Sequence, residues 1–222
     1  MRTANPTHPD SKASSATPRV LIVDDDASVR ESLQMLARGA GWEPEAFTCA
    51  REFLARPRVV APSCLLLDFV LPDLHGLELQ QRIADEGIDI PIIFMTAYGD
   101  VATAVEAMKA GALGMLTKPL SEDQLLSAIQ GAIQHSYDVL DEEEAKAELR
   151  ERHASLSRRE KEVMALVVSG MLNKRVGSEL GISEITVKAH RAKVMGKMKA
   201  DSLAELVKMA ARLDAIIQGD LD

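Results

Sequence analysis

Leu65-Leu66-Leu67-Asp68-Phe69-Val70-Leu71-Pro72 runs three leucines into an aspartate, with a proline four residues further on. A continuous apolar run bounded by turn signals reads as a strand buried on both faces, as in a parallel sheet. The carboxyl end of such a strand is where open sheets hold ligands. Asp68 is therefore a candidate reactive group. Aspartate also serves as a turn residue or helix cap, so its role depends on what converges with it.

On either side the same unit repeats. Val20-Leu21-Ile22-Val23 reads as a buried strand ending in Asp24-Asp25-Asp26, followed by a helix with Val29, Leu33 and Leu36 on one face that stops near Gly39 and Gly41. A weaker strand near Glu45–Thr48 precedes a short helix to Arg56. The Leu65–Asp68 strand precedes a helix holding Leu77, Leu79 and Ile83, and Pro91–Thr96 precedes one with Val101, Val105 and Met108. A fifth strand, near Gly114–Thr117, leads through Lys118-Pro119 to a helix opened by Ser121-x-x-Gln124. Alternation of strand and helix through five rounds implies an α/β fold, an open parallel sheet with helices on both faces.

Four of these strands end in polar groups: Asp24 with Asp25, Asp68, Thr96, and Lys118. All would meet on one rim of a parallel sheet. Three carboxylates held close together repel unless a cation or a proton intervenes, so the set calls for a metal. Carboxylates, a carbonyl and waters suit octahedral Mg²⁺. Asp68, at the centre, can attack a phosphoryl group to give an acyl phosphate, while the Thr96 hydroxyl and Lys118 ammonium meet charge on the phosphoryl oxygens.

The chain has 222 residues, 46% of them hydrophobic, enough for one large or two small folded domains. No stretch approaches a membrane span and the N-terminus lacks a secretory apolar core, so a cytoplasmic protein is expected. Cys49 and Cys64 have no metal-ligand spacing and read as small core residues. Of 26 Lys/Arg and 34 Asp/Glu, residues 153–213 hold 12 and 6, so the last third is basic on an otherwise acidic chain. That asymmetry points towards nucleic acid for the basic part, with a solvated basic face as the bland alternative.

Residues 1–18 lack apolar periodicity and are expected to be a disordered tail. The stripe Leu125, Ile129, Ile133 and Leu140 predicts a helix fading into a charged, exposed linker over 138–155. Beyond it, capping boxes Ser157-x-x-Glu160 and Ser202-x-x-Glu205 open the first and last of four helices in residues 156–222. The middle pair, Asn173–Leu180 and Ser183 to about Lys199, turns at Gly181 as a helix-turn-helix does. Lys188, His190, Arg191, Lys193 and Lys197 crowd the second of them, and Ile185, Val187 and Val194 are expected to anchor it. A major-groove recognition helix is the reading these residues favour.

With these motifs in order, LIVDDD, LLLDFVLPDLHG, FMTAYGDVATAVEAMKAGA and TKPL, residues 19–137 resemble a two-component receiver domain. The resemblance implies a flavodoxin-like sheet of order 2-1-3-4-5. It makes Asp24 and Asp25 an acidic metal pair, Asp68 the phosphoacceptor, Val70 a backbone-carbonyl ligand, Thr96 a switch hydroxyl and Lys118 the partner lysine, with a cis bond at Lys118-Pro119. It departs from the family at Met115, where many receivers carry Tyr or Phe. Val70 and Tyr98 flank the site and would govern water access to the acyl phosphate. LSRREKEVMALVVSGMLNKRVGSELGISEITVKAHRAKVMGKMKADSLAELVKMA resembles a LuxR-type helix-turn-helix. That likeness assigns Lys174 and Thr186 to phosphates and Lys188 to the major groove, with His190 and Arg191 in either role; Ala189 and Ala192 face the groove, and the last helix dimerises.

Together the two resemblances imply a NarL/FixJ-family response regulator, not an enzyme. Phosphorylation of Asp68 by a sensor histidine kinase would control promoter binding, with Mg²⁺ as cofactor, a homodimer when phosphorylated and RNA polymerase as a further partner. An aspartate-nucleophile phosphatase would need a second catalytic acid/base and a cap domain, and neither is legible. A phosphorylation-independent regulator is disfavoured by the intact acidic pair, Asp68, Thr96 and Lys118. An ATP-driven promoter opener is disfavoured by the missing P-loop.

Overall fold

A computed structural model describes residues 16–57, 60–97 and 101–219, in two compact units, Met1–Asp141 and Glu142–Asp222. The first fifteen residues of the expected disordered tail lie outside that description.

The first unit alternates β1 (Arg19–Val23), α1 (Ala27–Gly39), β2 (Glu43–Phe47), α2 (Ala50–Ala55), β3 (Ser63–Asp68), α3 (Gly76–Asp85), β4 (Ile92–Thr96), α4 (Val101–Lys109) and β5 (Gly114–Thr117), then enters α5 (Glu122–Ala154). Every strand pair is parallel, in the order β2-β1-β3-β4-β5. Strict alternation along the strands builds two cores. Leu21, Val23, Leu65, Leu67, Ile92 and Phe94 face α2, α3 and α4 through Phe53, Leu79 and Ala107. Val20, Ile22, Cys64, Leu66, Ile93 and Met95 face α1 and α5 through Leu33, Ala37, Leu125 and Ile129. Leu65, Leu66 and Leu67 are fully buried, so the three-leucine run satisfies both faces at once.

β2 begins at Glu43, before the expected Glu45, because it is an edge strand whose half-exposed residues dilute the apolar signal. On α4, Val105 and Met108 are 45% and 49% exposed while Ala107 is buried, so the larger side chains do not mark the packed face. Lys118-Pro119 is cis. Both cysteines are free, Cys64 fully buried in the core and Cys49 only partly covered.

The second unit contains α5 from Glu142 onward, α6 (Arg158–Val168), α7 (Asn173–Leu180), α8 (Glu184–Met198) and α9 (Leu203–Gly219). Leu149 is 6% exposed and packs with Leu156, Met164, Val194, Met198, Leu206 and Leu213. The stretch expected as an exposed linker therefore lends a core residue to this unit. A second cluster, Val163, Val167, Val176 and Val187, joins α6, α7 and α8. Ser157 accepts from the Glu160 amide while the Glu160 carboxylate accepts from the Ser157 amide, so the predicted capping box forms. Among the described residues no helix is long and apolar enough to cross a membrane.

Candidate functional site

β1 has β2 on one side and β3 on the other, so the crossovers diverge at β1 and leave a crevice above its carboxyl end. Val23 pairs with Leu67, which sets Asp24 and Asp68 at the next rung of neighbouring strands. One ligand oxygen from each of Asp24, Asp25 and Asp68 lies within 4.8 Å of the others. Asp24 is fully buried and Asp68 is 9% exposed, whereas Asp25 opens to solvent.

Lys118 enters from the end of β5. Its Nζ donates to Asp24 Oδ2 and to Asp68 Oδ2, each at 2.8 Å. Burial pulls its pKa down, but hydrogen bonds to the two carboxylates, reinforced by their charge, outweigh that and hold it above the ordinary lysine value. The Lys118 amide also donates to the Thr96 carbonyl at 2.7 Å, tying β5's exit to the end of β4. Thr96 is 4% exposed. Asp24 Oδ1 accepts from the Asp26 amide at 2.9 Å, so its side chain is fixed from both oxygens. Val70 lies just past Asp68, its amide 3.4 Å from Asp68 Oδ1 and its side chain exposed. Tyr98 lies outside the described residues. Three carboxylates against one ammonium leave a net negative, all-oxygen site, the donor chemistry a hard divalent cation requires.

In the second unit, α7 meets α8 through a turn with Gly181 at φ 65°. Ser183 caps α8: its Oγ accepts from the Thr186 amide at 3.1 Å and lies 2.8 Å from Thr186 Oγ1. Lys174 is exposed on α7. Lys188 is exposed on α8 and pairs with Glu184 at 3.1 Å. His190 is half-buried with its Nδ1 unpaired among the described residues, and Arg191 donates to Asn173 Oδ1 at 3.2 Å. One expectation is overturned. Ile185 is 80% exposed, so α8 is anchored by Val187, Val194 and Met198 without it. Lys197 stays exposed but its ammonium is engaged by Glu160 at 2.7 Å and by the Ser155 carbonyl at 3.0 Å, because a buried carboxylate needs a cation.

Residues 20–130 match the response regulator receiver domain, and residues 154–210 match the bacterial regulatory proteins of the luxR family. The chain belongs to the two-component response regulators. It is a response regulator with a receiver domain and a LuxR-type DNA-binding domain, of the FixJ-like group of transcription regulators. Nodulation protein W of Bradyrhizobium diazoefficiens is 44% identical over 87% of this chain and 86% of its own. Response regulator protein TmoT of Ectopseudomonas mendocina is 42% identical over 87% and 88%. Among solved structures, the response regulator StyR superposes with a TM-score of 0.82 at 43% identity, covering 89% of this chain and all of that one.

The sequence reading of this response regulator missed several residues that shape the sites. Asp73, in the loop after β3, accepts from the Ala50 and Arg51 amides at 3.1 and 2.9 Å and so ties that loop to the start of α2. The PD step after the LLLDFVL run was the available signal. Arg159 donates to the Leu180 carbonyl at the end of α7. Gly177 is required by close approach, since a Cβ there would meet the Ile182 carbonyl oxygen at 2.7 Å. Glu160 is 4% exposed, and the hydrogen bond from Lys197, followed by that from the Ser157 amide, lowers its carboxyl from 4.5 to about 2.

Proposed function

We propose that Asp68 accepts a phosphoryl group from a sensor histidine kinase and that this shifts the regulator towards a dimer competent for promoter binding. The observation that carries the reading is Lys118 Nζ, 2.8 Å from carboxylates at the carboxyl ends of two neighbouring strands. It fixes the Asp68 carboxylate and sets a cation where phosphoryl oxygens would gather. An Asp68 oxygen attacks phosphorus, the bond from phosphorus to the donor nitrogen breaks, and an acyl phosphate forms. Lys118 and the Thr96 hydroxyl meet the phosphoryl oxygens. Asp24, Asp25, Asp68 and the Val70 carbonyl would hold Mg²⁺, which when bound offsets the negative charge of donor and acceptor. Asp68 acts here as the acceptor of a phosphoryl group and not as a catalyst acting on small phosphoesters.

Exposed Val105 and Met108 on α4, Leu113 just before β5, and Leu203, Val207 and Ile217 on α9 supply apolar surface for the homodimer. Lys174 and Thr186 contact DNA phosphates, Lys188 enters the major groove, and His190 and Arg191 support it. RNA polymerase is the further partner, and the cytoplasm is the compartment this role requires. Wild type and Asp68→Asn, each incubated with acetyl phosphate and Mg²⁺, test the switch. Labelling and tighter promoter binding are expected for wild type alone, and equal labelling and affinity in both would refute it.

A further inference from the structure

We propose that Ile185 is a specificity-determining contact that reads the C5 methyl group of a thymine in the major groove. The inference rests on the DNA-binding role of α8. Ile185 is the second residue of that helix, and in helix-turn-helix proteins it is the first turns of the recognition helix that reach base edges.

One exposed isoleucine on a surface is ordinary. The setting of this one is not. Ile185, Lys188, Ala189 and Ala192 follow one another at helical spacing i, i+3, i+4, i+7 and are all exposed, so they form one outward stripe. Val187, Val194 and Met198 are buried on the other side, which fixes how α8 is rotated. The stripe therefore holds one charged group, Lys188, and three aliphatic ones. Two alanines are too small to reach far, and Ile185 is the large apolar member.

Its chemistry also lacks a structural motive. A β-branched residue is a weaker helix former than alanine, and at 80% exposure Ile185 contributes little packing in return. The first turn of α8 already has its cap in Ser183, so Ile185 is not needed to start the helix. In the major groove the apolar feature that distinguishes one base from the rest is the thymine methyl, and an aliphatic side chain is the complementary surface. Glu184 holds Lys188 at 3.1 Å in the free protein, so polar readout by Lys188 must exchange that pair for a base or phosphate, whereas Ile185, 80% exposed, has no ion pair to exchange.

The test starts from sites that the full-length protein, incubated with acetyl phosphate and Mg²⁺, selects from random duplex DNA. Each thymine of a selected site is then replaced by uracil, which lacks only the methyl. One position per half-site should lose about fourfold in affinity, the ratio a methyl-sized apolar contact supports. Ile185→Ala should bind the thymine site about fourfold or more weakly, show no further loss with uracil at that position, and keep the wild-type salt slope. Ile185→Val should retain most of the methyl dependence. Insensitivity to every uracil, or the same uracil dependence in Ile185→Ala as in wild type, overturns the proposal while leaving DNA binding intact. Unchanged DNA affinity with weakened self-association of Ile185→Ala overturns it in favour of a second copy as the occupant. Failure of the wild type to select any site refutes the DNA-binding reading and this proposal with it.

Discussion

Gly177→Ala should destabilise the second unit, although glycine to alanine in an exposed helix ordinarily stabilises. A Cβ at Gly177 would lie 2.7 Å from the Ile182 carbonyl oxygen and 3.6 Å from both the Glu184 amide nitrogen and Val187 Cγ2. The oxygen is main chain, in a turn held by the Ile182 amide donating to the Gly177 carbonyl at 2.9 Å and by Gly181 at φ 65°. It cannot rotate aside as a side chain would. Relief requires α7 and α8 to part by about half an ångström, which loosens Val176 against Val187, both fully buried. Overpacking of this kind costs about 1–3 kcal/mol, and contact with main chain places it towards the upper end. Alanine's helix propensity offsets about 1 kcal/mol of that. The net is about 1–2 kcal/mol, or a fall of roughly 4–16 °C in Tm for a unit of this size. Gly196→Ala on α8 is the control, because nothing lies within 4 Å of its Cβ. It should raise Tm by about 4–8 °C. Far-UV circular dichroism sums the helices of both units, whereas fluorescence of the single tryptophan, Trp42, follows the first; the second unit is therefore the circular-dichroism transition that Trp42 does not report, and the Trp42 transition should not move in either variant. A Gly177→Ala protein whose second unit melts at or above the wild-type temperature would refute the reasoning.

Lys118→Ala leaves three clustered carboxylates without their ammonium. Mg²⁺ affinity by calorimetric titration should rise by about tenfold, while acetyl phosphate labelling of Asp68 falls at least as much; weaker Mg²⁺ binding would contradict the charge argument. Glu160 is depressed from 4.5 to about 2, so the stability it contributes is present above about 4.5 and lost as pH falls towards 2. Melting of the second unit should decline through that window in wild type and decline less in Glu160→Gln. Lys174→Ala should weaken binding evenly across DNA sequences and reduce the salt slope by about 1. Lys197→Met should instead lower the Tm of the second unit and leave the slope as it was, since its ammonium is held by Glu160 and the Ser155 carbonyl.

The sheet was legible because its central strands are buried on both faces, and Val20–Val23, Leu65–Leu67 and Ile92–Met95 have no polar residue to interrupt the run. β2 was the least legible strand for the complementary reason. At the edge, Glu43, Pro44 and Glu45 can face water, so nothing forces an apolar pattern on them. The rim followed from topology alone. Once the strands are parallel, residues that end them must share one rim: Asp24, Asp68 and Lys118 meet there through hydrogen bonds, and Thr96 ends β4 beside them. The double contact of Lys118 was not readable, because it depends on side-chain reach across two neighbouring strands.

On α8 the sequence shows composition, while function depends on rotation about the helix axis. Lys188 and Lys197 look alike as letters, nine residues apart. Val187, Val194 and Met198 set the rotation, and it carries Lys188 outward and Lys197 towards Glu160, a carboxylate already committed to the Ser157 cap. The same rotation exposes Ile185, which its chemistry alone had placed in the core. A charge count over this helix therefore overstates the cations free for phosphate by at least one, and it misses the apolar part of the outward stripe entirely. Arg191 is held by Asn173 across the α7–α8 junction, so truncating it would disturb the junction as well as any DNA contact. Only an assay that reads affinity and folding separately can assign its role.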